Sequence, residues 1–141
     1  MKKDITVHHA QDAKSAAQQA GSSLTKVLER FKETPVLLLL AGGSARAVLE
    51  YVDESALGNH VTVTVTDERF SEELDINNFT QLQADPFYNK LVRTDSFAIS
   101  TEVWPEDTHE MHRQRFEKAL RDWKRDFPYD TVIAVLGVGT D

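Results

Sequence analysis

The segment Thr131-Val-Ile-Ala-Val-Leu-Gly137-Val-Gly139-Thr-Asp141 constrains the architecture more than any other in the chain. Its first residues are almost all apolar and mostly β-branched, the pattern of a strand buried on both faces, as in a parallel sheet. The strand runs directly into Gly-x-Gly-Thr-Asp, a turn able to bring backbone N–H groups and a carboxylate to the edge of a sheet. In open α/β sheets ligands bind outside the carboxyl ends of the strands, where such a turn lies. A central strand is normally covered by the element that follows it. The segment is therefore expected to belong to a longer functional unit, and its uncovered side is expected to favour self-association.

Upstream, apolar runs alternate with helical patterns. Ile5-Thr-Val-His8 predicts a short first strand, Val36–Leu40 a wholly apolar second and His60–Thr66 a third with β-branched residues at almost every position. Phe97-Ala-Ile predicts one more short strand. Between the first two, Ala13, Ala16, Ala17, Ala20, Leu24, Val27, Leu28 and Phe31 recur at helical spacing. Gly21-Ser22-Ser23 marks a kink or a close helix contact, and Pro35 ends the helix by disfavouring helical geometry in the residue before it. A helix is expected from Ala45 with Ser44 as N-cap, a short one from Asn77, and another opened by Asp85-Pro86. Asp107 and Glu110 have the spacing of a capping box for the last helix, whose apolar face is Met111, Phe116, Ala119, Leu120, Trp123 and Phe127. The expectation is one α/β domain over residues 1–141, a parallel sheet with helices on both sides.

Composition removes several function classes. The chain has no cysteine, hence no disulfide, thiolate ligand or thiol nucleophile. No apolar run approaches the ~18 residues of a membrane span, and Met1-Lys2-Lys3 is followed by Asp4 rather than by a signal-peptide apolar region. A cytoplasmic protein that engages neither membrane nor nucleic acid is expected, since the net charge is −7 and no basic stripe is present. An anionic ligand would have to be held locally against that overall field.

The stretches that could carry chemistry lie at strand ends. Gly42-Gly43-Ser44 separates a buried strand from a helix start, where glycines permit close approach and unpaired N–H donors favour phosphate. Ser44 could add a donor and Arg46 a charge, although an ordinary strand-to-helix turn also favours Gly and Ser. Asp67-Glu68-Arg69 follows the third strand: a carboxylate there could act as a base, an arginine could hold phosphate or an oxyanion, and the plainer reading is a solvated turn with Glu68 and Arg69 paired. Asn77-Asn78 could position a ligand hydroxyl or simply cap a helix. His109 and His112 are spaced for a metal, but no third ligand is evident and the first turn of a surface helix explains them as well.

Taken in order, Leu-Leu-Ala-Gly-Gly-Ser, Thr-Asp-Glu-Arg-Phe, Asn-Asn-Phe and Val-Leu-Gly-Val-Gly-Thr-Asp resemble the family of 6-phosphogluconolactonases and glucosamine-6-phosphate deaminases. The resemblance spans essentially the whole chain, and Arg69 resembles the lactonase branch, because the deaminases usually carry tyrosine there. It implies a Rossmann-like three-layer αβα fold with a mainly parallel sheet. It also implies hydrolysis of 6-phospho-D-glucono-1,5-lactone in the pentose phosphate pathway, with no metal or other cofactor, a lactone being already an activated ester. By the same resemblance Gly42, Gly43 and Ser44 correspond to the phosphate-contacting loop, and Asp67 and Arg69 to an acidic and a basic active-site position. Asn78 corresponds to the Asn of a serine-asparagine pair, and Gly137, Gly139 and Asp141 to the start of a Gly-x-Gly-x-Asp-Gly-His signature. Ala45-Arg46 stands in place of the usual threonine-proline and Asn77 in place of serine. The sequence stops before the Gly-His whose histidine would activate water, so residues 1–141 alone are expected to be inactive. Two alternatives accompany this reading: a sugar-phosphate deaminase or isomerase, and a short chain that binds a sugar phosphate or a protein partner without catalysis.

Overall fold

The structure, a computed structural model, describes residues 4–73 and 75–138. Its elements are α1 (Ala13–Arg30), β1 (Val36–Leu40), a 3-10 helix (Gly43–Tyr51), a 3-10 turn (Glu54–Ala56), β2 (Val61–Val65), α2 (Asn78–Ala84), α3 (Pro86–Arg93), β3 (Phe97–Ala98), α4 (His109–Asp126) and β4 (Thr131–Val135). The strands form one sheet in the order β3-β2-β1-β4, and every pairing is parallel. This is an α/β, Rossmann-like sheet. β1 lies between two partners in matched register, with Leu38 beside both Val63 and Ile133. The chain grows outward from β1 to β2 and β3, then returns to place β4 on the other side. The strand order therefore reverses between β1 and β4, and the crevice at such a reversal is where open α/β sheets hold ligands.

Alternation decides what each face of the sheet buries. Val36, Leu38 and Leu40 of β1 join Val61, Val63 and Val65 of β2 in a core closed by Leu24 and Leu28 of α1, Leu49 and Val52, Phe79 and Leu82 of α2, and Phe87 and Leu91 of α3. The opposite face carries Thr62 and Thr64, both buried. α4 covers it there, the indole Nε1 of the buried Trp123 donating to Thr62 Oγ1 at 3.0 Å. Helical elements thus flank the sheet on both faces. No helix among the described residues is long and apolar enough to cross a membrane.

Pro86 occupies the first turn of α3 as expected, and Asp85 accepts from the Phe87 amide at 2.9 Å. α1 runs unbroken through Gly21, and a Cβ there would lie 2.5 Å from Tyr51 Cβ. The Gly-Ser-Ser segment is therefore a close contact with the 3-10 helix and not a kink.

Four expectations are corrected. Residues 5–8 form no strand, and Ile5 and Val7 are exposed: alternation alone does not make a strand where no partner edge is offered. Ser44 does not cap a helix. The helix is of the 3-10 type and starts at Gly43, with Gly42 at the cap position and no side-chain cap bond. In α4 the capping residue is Thr108, whose hydroxyl accepts from Met111 N at 3.2 Å, because Asp107 is drawn to the Trp104 amide and to Arg115. Finally, β4 is not buried on both faces. It is an edge strand among the described residues, with Val132 54% exposed and Ile133 packed against the core.

Candidate functional site

β1, β2 and β4 all end on the same side of the sheet, and the loops leaving them meet there. Gly42, just past β1, donates its amide to Asp67 Oδ1 at 2.9 Å, across from the loop that leaves β2. A Cβ on Gly42 would lie 2.6–2.8 Å from the side-chain amide atoms of Asn78, so only glycine lets this loop, Asp67 and α2 close together. Gly43 is a glycine for another reason. Its φ of +65° lies in the left-handed region, and the space where its Cβ would stand is open. Gly42, Asp67 and Asn78, three residues singled out in the sequence, are therefore in direct contact.

Asn78 and Asn77 divide their work. The Asn78 amide donates to Asp67 O at 2.7 Å and lies 3.5 Å from Asp67 Oδ1, joining α2 to the end of β2. Asn77 is completely buried and structural: its Oδ1 caps α2 at Thr80 N, and its Nδ2 donates to Thr101 O at 3.3 Å. Between the two, Glu68 does not form the surface pair expected with Arg69. Its carboxylate accepts from Arg69 N at 2.8 Å, Asn78 N at 2.6 Å, Phe79 N at 2.9 Å and from the hydroxyl of Thr101. Thr101, 1% exposed, also presents its carbonyl to His112 Nε2 at 2.8 Å. Phe70 stacks on His109 with ring centroids 3.9 Å apart. The two histidines of α4 are thus occupied by an aromatic ring and a carbonyl. No group of three or more His, Asp or Glu among the described residues is arranged to hold a metal ion.

Glu68 does not announce itself in the sequence as an organising residue, nor Thr101 as its partner; Phe70 figures there only within Thr-Asp-Glu-Arg-Phe and His112 only as a candidate metal ligand. One signal for Glu68 was available. A carboxylate at a strand end, upstream of an Asn-capped helix, is a natural acceptor for the unpaired amides of that helix.

The remaining candidates surround this centre. Gly137, after β4, faces the start of the 3-10 helix across the crevice; a Cβ there would be 3.3 Å from Ala45 Cβ and 3.8 Å from Ser44 Oγ. Ser44 and Arg69 are exposed at the rim, and the Arg69 guanidinium forms no ion pair or hydrogen bond among the described residues. Arg46 stands in the first turn of the 3-10 helix. It borders a small crevice with Gly42, Asn78 and Leu82, and a groove of about 500 Å³ with Gly43, Ser44 and Lys90. The Nε of Arg46 is buried without a hydrogen-bond partner among the described residues. Lys90 is committed to the carbonyls of Glu50 and Val52 at 3.1 and 2.9 Å, so Arg46 is the freer cation in that groove. Gly139 and Asp141 lie outside the described residues.

Chemically, the edge offers the second oxygen of Asp67 as an acceptor for a hydroxyl or a proton. Gly43 and Ser44 supply donors, and Arg46 and Arg69 supply cations for an anionic group. Comparison with protein-family models, curated proteins and solved structures returns no match.

Proposed function

We propose that this edge of the sheet binds a phosphorylated sugar, and that the complete enzyme hydrolyses 6-phospho-D-glucono-1,5-lactone to 6-phosphogluconate in a cytoplasmic pentose phosphate pathway. The observation that carries the reading is the contact of Gly42, Asp67 and Asn78 beside the reversal of strand order. The family resemblance assigns roles to those same residues, and the reversal is where an α/β sheet places its ligand. In this reading Gly43, Ser44 and the nearby arginines hold the phosphate, and Asp67 accepts a sugar hydroxyl or orients the base. In the mechanism that the resemblance implies, water activated by a histidine attacks the lactone carbonyl, and N–H or cationic groups meet the oxyanion as it forms.

Residues 1–141 carry the binding part of that signature and no Gly-His pair. Calorimetric titration of the chain with 6-phosphogluconate is expected to show saturable binding, weakened about tenfold or more by Asp67→Ala through loss of one hydrogen bond to a charged group. Lactone hydrolysis by the same chain is expected to stay at the buffer rate. Absence of 6-phosphogluconate binding, or stronger binding of glucosamine 6-phosphate, would overturn the lactonase assignment. Turnover by this chain, abolished in Asp67→Asn, would overturn the role given to the distant histidine.

A further inference from the structure

We infer that Glu68 is the positioning residue of this site: it touches no ligand, and it holds Asp67 where its carboxylate can grip the Gly42 loop. The inference rests on the sugar-phosphate reading for its consequence, though not for its geometry.

The carboxylate of Glu68 meets donors from three places in the chain: the Arg69 amide in its own loop, the Asn78 and Phe79 amides in the first turn of α2, and the Thr101 hydroxyl beyond β3. Both of its oxygens are used, Oε1 by Arg69 and Asn78 and Oε2 by Phe79 and Thr101. Such a carboxylate has little capacity left for a substrate, and its charge-assisted bonds are the strong kind. What it fixes is the peptide segment carrying Asp67, because Asn78, anchored at its own amide by Glu68, donates its side chain to Asp67 O at 2.7 Å. Asp67 then reaches Gly42 N at 2.9 Å. The line of bonds runs from His112 of α4 through Thr101, Glu68, Asn78 and Asp67 to Gly42 of the β1 loop. The helix on one face of the sheet is thereby linked to the candidate phosphate loop on the other.

Glutamine is the discriminating substitution. It matches glutamate in shape, but one of its terminal atoms is an NH2 that cannot accept. Either orientation places that NH2 against at least one backbone N–H, of Arg69 and Asn78 on one side or of Phe79 on the other. In NMR spectra of the 141-residue chain, the wild-type Gly42 amide proton is expected to lie downfield of a solvent-exposed amide, as its charge-assisted bond to Asp67 Oδ1 requires. In Glu68→Gln that downfield displacement is expected to shrink. Exchange of the Gly42 amide with solvent is expected to quicken about tenfold relative to the Leu38 amide of β1, and affinity for 6-phosphogluconate to fall about tenfold, the scale of one lost charged hydrogen bond. Glu68→Gln with an unchanged Gly42 exchange rate and chemical shift would overturn the inference. If Glu68→Gln does not fold, Thr101→Val decides, since it removes only the hydroxyl donor. Faster Gly42 exchange is expected there, and an unchanged rate would overturn the inference. A Gly42 response in a chain that binds no 6-phosphogluconate even as wild type would sustain the positioning role and refute the sugar-phosphate reading alone.

Discussion

At Gly42 an alanine methyl would meet the Asn78 amide at 2.6–2.8 Å, whereas at Gly43 it would meet nothing and pay only for a φ of +65°. The two neighbours therefore predict different responses. Gly42→Ala is expected to lower stability by roughly 1–3 kcal/mol through overpacking, and to loosen Asp67 as well. Gly43→Ala is expected to cost about 1–2 kcal/mol, and Gly43→Asn less, because asparagine tolerates the left-handed region; thermal melts of the three variants check this. Two titrating residues set pH limits. Burial of His60, whose Nε2 has no hydrogen-bond partner among the described residues, holds its pKa below the usual histidine value. The folded state then binds fewer protons than the unfolded chain, so stability is expected to fall as pH drops through about 6.5. Urea melts at pH 7.5 and 5.5 should show that fall, reduced in His60→Gln. Asp107 acts in the same direction in a lower pH window: its hydrogen bonds with Arg115 bring its pKa down to about 2, so its contribution is fully present above the ordinary carboxylate range and is lost as pH falls toward 2. Residues whose reason lies in their own backbone, such as Pro86 in α3, were legible from sequence. Glu68 was not, because its acceptor role depends on amides at 78 and 79 and a hydroxyl at 101 that only the fold assembles.

Among the elements, the regular ones were legible where sequence offered a run and a stop. β1 is five apolar residues after a proline, β2 five β-branched ones, and both form as expected. The segment at 5–8 failed because strand propensity is realised only against a partner edge. The 3-10 character of Gly43–Tyr51 left no mark either, since its apolar spacing also suits an α-helix. α4 is the least buried of the long elements. Its attachment depends heavily on one buried side chain, Trp123, and on its bond to Thr62. Trp123→Phe keeps the aromatic body and orphans the Thr62 hydroxyl, which is 5% exposed with its residue. Such an unpaired buried group costs about 1–3 kcal/mol. The double variant Trp123→Phe with Thr62→Val is expected to recover part of that loss in denaturant melts. Thr108→Ala removes the true cap of α4 and is expected to cost about 1 kcal/mol, which distinguishes it from the capping role first read at Asp107.

For the whole molecule, the α/β class followed from alternation, but the strand order did not. Periodicity says which residues face a core; it does not say which strand takes the centre. Here β1 takes it, and β4, which reads as a buried strand, takes an edge. That placement has a kinetic consequence. β1 and β2 are close in the chain and can pair with α1 and the 3-10 helix early, whereas β4 must return from the far end to reach the free side of β1, a late event in a topology-limited search. Leu38→Ala is therefore expected to slow refolding in stopped-flow measurements. Ile133→Ala is expected to leave refolding nearly unchanged and to accelerate unfolding instead. The crevice between β1 and β4 does not exist until that last docking step. A small molecule bound there should lengthen the lifetime of the folded chain without hastening its formation.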